Sequence, residues 1–491
     1  MIYYDQRNTI NKTKMCKVVL ILIAIIFFLM ILFKISTNST RNAMLNQIKQ
    51  EEAYYKMMNN EVYFDYAGSA PYTGEQIKKF TKMMEKDFLC NSHSPNNCGL
   101  RSNDILQEMR SKILKYFGTN EDNYIVIFTS GTTQSLRIVG ESFPFEEGSH
   151  FYFTKSNHNS VLGIREFAKL KKADFKAVDE FDSKILPSTD KPSLFAYPPE
   201  DNFNGVQHPL DWVDMINAKK NWYSLIDTAA FVSHNPLDLN RIKPHFVTMS
   251  FYKMFGFPMG VGALLMRKDI VPKMIPIYFG GGTVYSSLPE KDYKVFFGYY
   301  SKFEAGTLPI SSIAALKFGF EMIESKGGMV NIKKRTLELT KKLVFGLKNV
   351  KHSNGQNVFE IYGNHLTESQ LQGPIVTFNI FKDNGKMVKT ALVNAFLRDN
   401  NVNIRTGCMC NPGSCLKALK INSEDYMNAI PNQPQEGFDS NSCLDIMIGE
   451  KEAGAIRVSF GYASTFEELE RFIEVMNDFL KSEKINAKIS I

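Results

Sequence analysis

Two periodicities take turns along the middle of the chain. From Asn103 to Phe117 the residues Ile105, Met109, Ile113 and Phe117 recur at helical spacing, and Gly118 follows as a stop signal. Ile125–Thr129 is then a short apolar, β-branched run that opens through Ser130-Gly131-Thr132-Thr133 into a helical stretch carrying Leu136 and Val139. Further strand-like runs are Phe151–Thr154, Leu194–Tyr197, Tyr223–Ile226 and Phe246–Met249, with helical patterns between several of them. Strands alternating with helices predict an α/β fold with a mostly parallel sheet covered on both faces. The pattern changes near Gly327. Beyond it come a long amphipathic helix over about Ile332–Leu347, a strand Ile375–Phe381, a helix around Val388–Leu397 and a strand Ile456–Phe460. A closing helix follows, with Phe466, Leu469, Phe472, Ile473 and Met476 on one face, which reads as a smaller α+β domain.

The N-terminus follows neither period. Val18–Phe33 is entirely apolar, with Lys17 and Lys34 at its edges. The run is slightly short of the ~20 residues that span a bilayer, but flanking lysines snorkel and lengthen it. A secretory signal peptide is the alternative, yet no small-residue cleavage site follows Phe33. The expectation is a tail over 1–17, a single-pass transmembrane anchor over 18–35 and a polar stalk over 36–60. A membrane location follows from it, with the catalytic part expected on the cytoplasmic side, although the flanking charge bias is too slight to decide the face. Asn38-Ser39-Thr40 is a glycosylation acceptor that only a lumenal orientation would use.

Composition narrows the classes. With 44% hydrophobic and 22% charged residues among 491, the chain has enough material for one large and one smaller domain. The net charge of +7 is spread along the length, and no basic run is interleaved with aromatics, so nucleic acid is not an expected partner. Seven cysteines, placed unevenly, are too few for a disulfide framework. Cys408, Cys410, Cys415 and Cys443 fall late in the chain, which points to chemistry or metal in a reducing compartment. Structural zinc usually takes cysteines two to four residues apart with a second pair or a histidine nearby, whereas Cys408 and Cys410 flank a single residue, so no metal is expected.

Three features carry chemistry. The Ser130–Thr133 turn puts free N–H groups and hydroxyls at a helix N-terminus, a geometry that binds phosphate, although an ordinary helix cap also explains it. Asp227 ends a predicted strand, where open α/β sheets bind ligands, and would hold a pyridine nitrogen protonated; the plain alternative is a helix cap. Lys253, in Ser250-Phe251-Tyr252-Lys253 after another strand, is walled by aromatics and so becomes a better amine nucleophile; otherwise it is a surface lysine.

Together these features resemble the class V aminotransferases, and within them the cysteine desulfurases, with the N-terminal desulfurase domain of molybdenum cofactor sulfurases the nearest match. The resemblance covers roughly residues 60–480. It rests on Tyr63-Phe64-Asp65-Tyr66-Ala67-Gly68, Phe128 through Thr133, Asn157 through Gly163, Asn202-Phe203-Asn204-Gly205, and Ser250 through Pro258. Phe279 through Thr283, Phe303-Glu304-Ala305-Gly306-Thr307, Arg405 through Gly413 and Arg457 through Gly461 complete it. It implies a fold-type-I enzyme dependent on pyridoxal 5′-phosphate, with 61–326 as the cofactor domain (including an N-terminal segment of the small domain) and 327–491 carrying the cysteine loop. Lys253 is then the Schiff-base lysine, Asp227 the partner of the ring nitrogen, His158 the residue stacked on the ring and Asn202 the contact to the ring hydroxyl. Thr132, Thr133 and Ser250 hold the phosphate, and Thr307 reaches the phosphate of a neighbouring subunit, which implies a homodimer. Arg457, with Arg405 beside it, grips the carboxylate of L-cysteine. Cys410, three residues after Gly407, takes the sulfur as a persulfide from a mobile loop, with Cys408, Cys415 and Cys443 as relay or bystander thiols.

The expected reaction is therefore L-cysteine desulfuration to alanine and an enzyme persulfide, with the sulfur acceptor open and molybdenum cofactor as one candidate. The chain stops at Ile491, where the sulfurases continue into a second domain, so that acceptor domain is expected to be missing. Ala230 stands where many desulfurases have Gln, as in the sulfurase branch. A selenocysteine lyase, an aminotransferase of the same class and a catalytically silent membrane-tethered binding protein are the alternatives.

Overall fold

A computed structural model describes residues 61–367, 371–430, 446–449 and 451–491. These belong to one compact unit, Asn59–Ile491. Its larger sheet has seven strands in the order Tyr124–Thr129, Gly262–Arg267, Phe246–Ser250, Trp222–Asp227, Ser193–Tyr197, His150–Thr154, Asp174–Val178. Gly262–Arg267 runs antiparallel to both neighbours, and the other neighbouring pairs are parallel. Successive residues face opposite sides, as the pleat dictates. Val126 and Phe128 join one apolar cluster with the helices Asn97–Tyr116 and Ile310–Ser325, while Ile125 and Ile127 join another with the helix Thr132–Ser142. Burial on both faces is why these strands read as continuous apolar runs.

Two strands of this sheet were absent from the sequence reading. Asp174–Val178 is the sheet edge; four of its five residues are exposed, so it carries no apolar signal, and its charges suit an unpaired edge. Gly262–Arg267 follows the Lys253 turn so closely that nothing in the pattern separates the two.

The smaller sheet is antiparallel, ordered Phe359–Tyr362, Ile375–Ile380, Ala455–Ser459, Arg405–Gly407. Its core takes Leu339, Leu343 and Leu347 from the helix Gly328–Lys348, and Leu469, Phe472 and Met476 from the helix Phe466–Ser482. The N-terminal segment joins this sheet's core: Val62–Tyr63 pairs in parallel with Val402–Asn403, and the Phe64 ring lies 5.0 Å from that of Phe460.

The expected fold class needs one correction, at its N-terminal membrane helix. Among the described residues no helix is long and apolar enough to cross a membrane, and the run expected to do so, with its tail and stalk, lies outside those residues. The architecture of the described residues is the α/β unit. The reading of the cysteines is also corrected. Cys90 pairs with Cys98 and Cys408 with Cys415, at Cα separations of 5.9 and 5.2 Å that suit disulfides. Both pairs are close in sequence, where a tight turn and not a framework brings them together.

Candidate active site

The carboxyl ends of the parallel strands converge on one cleft of about 510 Å³, lined by Thr132, Thr133, His158, Asn202, Asp227, Ser250 and Lys253, with Glu200, Ala229 and Ala230 among its other walls. That edge is where open α/β sheets place their ligands. At its floor, Gly131 has φ +145°, a conformation closed to most side chains, and it leads into the helix Thr132–Ser142, which has no side-chain cap. The first N–H groups of that helix therefore face the cleft with the positive end of the helix dipole behind them. Ser250 Oγ accepts a hydrogen bond from Thr132 N at 2.9 Å and lies 2.9 Å from Thr132 Oγ1, while Thr133 Oγ1 lies 2.8 Å from Ser160 Oγ. This is an anion cradle of backbone amides and hydroxyls.

Asp227 closes the Trp222–Asp227 strand, buried, with one oxygen accepting from Ala229 N at 3.1 Å. Burial raises its carboxyl above the ordinary range, against the pull of Ala229 N and Lys253. Burial likewise lowers the amine of Lys253, opposed by Asp227 and reinforced by Arg457 and Arg405. The ring of His158 is held neutral, its pKa pushed down to about 4 by burial first and then by Lys253, Arg405 and Arg457. Its Nδ1 accepts from Ser160 N at 3.1 Å, which puts the remaining proton on Nε2.

Arg457 is fully buried on the Ala455–Ser459 strand. Its Nη2 donates to Asp65 Oδ1 at 2.6 Å and its Nη1 to Asn202 O at 2.8 Å, while Nε has no partner. Exposed Arg405 faces it across the antiparallel pair, and two like charges at facing positions are unfavourable without an anion nearby. Asp65 answers one of the two charges. Thr307 is exposed and outside the cleft lining.

The cysteine loop sits beside the cleft. Cys410 is exposed and has a free thiol. Its carbonyl accepts from Asn159 N at 2.8 Å, one residue from His158, and Asn202 Nδ2 donates to Met409 O at 2.8 Å. The expected mobile loop is thus a tied one. Cys408 and Cys415 are joined to each other, so in this form neither is a thiol available to relay sulfur; Cys443 lies outside the described residues. Among the described residues no group of three or more His, Cys, Asp or Glu side chains is placed to hold a metal ion.

A cradle for a phosphate, a buried carboxylate to face a ring nitrogen and a lysine of lowered pKa, all on one sheet edge, fit pyridoxal phosphate, and they define a fold-type-I pyridoxal-phosphate-dependent enzyme. Thr132, Thr133 and Ser250 would hold the phosphate, Asp227 the ring nitrogen and Lys253 the aldehyde carbon. Residues 62–472 match the family described as Aminotransferase class-V, and the chain belongs to it. It is similar to the molybdenum cofactor sulfurase of Homo sapiens, 32% identical over 460 residues that cover 88% of this chain and 51% of that one. Molybdenum cofactor sulfurase 3 of Aedes aegypti is 34% identical over 445 residues, covering 87% of this chain and 57% of that one. The chain thus spans about half the length of these relatives. Among solved structures, a cysteine desulfurase from Thermococcus onnurineus NA1 superposes with a TM-score of 0.70 at 20% identity, covering 89% of this chain and 98% of that one, a likeness of fold.

Sequence reasoning passed over Glu200, Asp201, His234 and Asn411. Glu200 is buried in the cleft wall and its oxygens accept from His234 Nε2 at 2.7 and 2.8 Å, Gln207 Nε2 at 2.8 Å and Asn235 Nδ2 at 3.1 Å. The signal available was the adjacent acids Glu200-Asp201 two prolines after a buried strand, a position at which carboxylates need partners.

Proposed function

We propose that the chain is an L-cysteine desulfurase of the molybdenum cofactor sulfurase type, releasing alanine and retaining the sulfur as a persulfide on Cys410. The observation that carries this reading is a free, exposed thiol whose backbone is tied to the His158 loop beside the Lys253 cleft. Transamination has no use for such a thiol. When bound, pyridoxal phosphate supplies a protonated pyridine ring that draws electrons from the substrate Cα. Arg457 orients the cysteine carboxylate with its unpartnered Nε and fork, and Arg405 adds charge at the same end. Lys253 Nζ, its pKa lowered, moves the Cα proton. Neutral His158, with its proton on Nε2, covers the ring and can donate a hydrogen bond from Nε2. Cys410 Sγ, as thiolate, attacks the substrate sulfur; the S–S bond forms as the substrate Cβ–S bond breaks, and the electron pair left on Cβ takes up a proton to give alanine. The test is incubation of the holoenzyme with L-cysteine without reductant: alanine is released and one added sulfur appears on the Cys410 peptide by mass spectrometry. Sulfur on another cysteine, or a keto acid product in place of alanine, rejects the reading. Molybdenum cofactor, named by the relatives, is the acceptor to offer first.

The partner in this reading is a second copy. Thr307 is exposed, and Ile275, Ile277, Tyr278, Tyr285 and Tyr299, which precede it in sequence, each expose apolar surface. A homodimer covers that surface and brings Thr307 to the neighbour's phosphate cradle. Mixing Thr307→Ala with Lys253→Ala subunits then restores one intact site per heterodimer, with activity up to about half of wild type if each site works independently. A fully active monomer by light scattering rules the dimer out.

A further inference from the structure

The residue directly after the thiol is the hub of its surroundings. Asn411 is fully buried. Its Nδ2 lies 2.9 Å from Ser156 O, 2.8 Å from Asp201 Oδ1 and 3.1 Å from Asn202 Oδ1, three acceptors for two hydrogens. Its Oδ1 accepts from Ser414 N at 3.2 Å and so caps the helix Pro412–Leu419. Asp201, also buried, takes the Ser414 hydroxyl on its second oxygen and Phe203 N at 2.8 Å on its first. One side chain therefore joins three elements: the loop that carries His158, the turn that carries Asn202, and the helix that follows Cys410. At the start of that helix, a Cβ on Gly413 would come within 2.1 Å of Lys155 O, so the helix end rests directly on the strand-end backbone. Met409 and Cys410 both hold left-handed φ angles, 57° and 56°, which persist in side-chain-bearing residues only where the surroundings over-determine them.

We propose that Asn411, braced by Asp201, is the positioning residue that holds the Cys410 thiol at the mouth of the cleft. Asn411 touches neither substrate nor cofactor and acts through the backbone of Cys410. The kinetic consequence rests on the desulfurase reading; the tether itself does not. Asn411→Ser separates the two jobs of the side chain, because a serine hydroxyl still caps the helix but cannot reach and donate to Ser156, Asp201 and Asn202 together. In the holoenzyme, kcat for alanine release falls by about 10- to 100-fold, the cost of misplacing a reacting atom by roughly an ångström. KM for L-cysteine and the cofactor absorbance stay as in wild type. Hydrogen exchange at the Asn159 amide, which donates to Cys410 O, speeds up at least about tenfold as that bond loses its support. Asn411→Ala, which loses the cap as well, behaves likewise in exchange. Wild-type kcat in Asn411→Ser, or a kcat loss matched by loss of cofactor absorbance, overturns the proposal. If wild-type enzyme releases no alanine from L-cysteine, the desulfurase reading fails by itself. The Asn159 exchange then decides: faster in Asn411→Ser upholds the tether, and unchanged exchange rejects it.

Discussion

The cofactor cleft and the cysteine loop adjoin each other but are held in place by different means. Asp227 and Ser250 end strands of a ladder buried on both faces, and the register that sets Asp227 beside Thr248 and Ser250 beside Gly262 also sets the cleft. Moving either residue means shifting a whole strand. Cys410 has no such ladder: the strand Arg405–Gly407 ends before it, and what surrounds it is the Asn159 N–H bond to its carbonyl and the side-chain hydrogen bonds that Asn202 gives to Met409 O and Asn411 gives to Asp201. Backbone geometry therefore sets the cofactor cleft, and a set of polar contacts sets the thiol that the proposed sulfur transfer would use. A fold divided this way can keep its cofactor while the fate of the sulfur is retuned.

The largest effect expected from breaking the comparison is the contrast between Lys253→Ala and Cys410→Ser. Lys253→Ala removes the visible cofactor band and lowers alanine release by at least about a hundredfold, the contribution of one positioned proton-transfer group. Cys410→Ser keeps the band and also stops release. A borohydride-reducible adduct surviving in Lys253→Ala, or continued turnover in Cys410→Ser, would show that the two regions do not divide the work this way.

This division also governs what could be read from the sequence. Strand ends in a buried parallel sheet announce themselves, because an apolar run stops at a hydroxyl or carboxyl residue, here Thr129, Asp227 or Ser250. Thr132, Thr133, Asp227 and Lys253 were legible on that basis and do line one cleft, as does Ser250, whose role came from the resemblance. The resemblance then supplied what periodicity cannot, namely His158, Asn202, Arg457 and Cys410. The tethers escaped both readings. Asn411 and Asp201 lie 210 residues apart, and nothing local marks either as a partner of the other. Arg457 was expected as a charge for substrate; that Asp65, 392 residues away, already holds it is a fact of packing alone. The pairing of Cys408 with Cys415 was missed because the late cysteines read as reactive thiols of a reducing compartment.

A smaller effect tests the Arg457 side of the cleft. Arg457→Lys keeps the charge but loses the planar fork shared among Asp65, Asn202 O and the free Nε. Removing a charge-assisted hydrogen bond worth about 1.5–3 kcal/mol raises KM for L-cysteine roughly 10- to 100-fold, with the cofactor band unchanged. Should kcat fall instead with KM constant, Arg457 is acting on the chemical step and not on carboxylate binding.

The smallest expected effect isolates the loop's brace by its titration. Burial pushes the Asp201 carboxyl up to about 6, outweighing the hydrogen bonds from Ser414, Phe203 and Asn204 that pull it down. A free Asp titrates near 3.9. Between roughly pH 4 and 6 the folded protein therefore holds a proton that the unfolded chain has lost. By linkage, the stability from this group is fully present below pH 4 and is lost as pH rises through about 6. Other groups mask that trend in wild type alone: burial holds His158, His208 and His365 down near 4, so each costs stability as the pH falls below about 6.5. Asp201→Asn removes one titration and leaves the others, and its amide mimics the protonated acid. The difference in Tm, wild type minus Asp201→Asn, should accordingly fall by on the order of 2–4 °C between pH 4 and pH 6.5 and stay flat above, because moving a carboxyl from about 4 to about 6 is worth about 3 kcal/mol and a unit of this length unfolds with roughly 0.9 kcal/mol/K of entropy. Differential scanning fluorimetry across that range decides it. A difference independent of pH, or one that grows with pH, means that Asp201 is ionised throughout, and the brace on Asn411 is then a charged acceptor and not a shared proton.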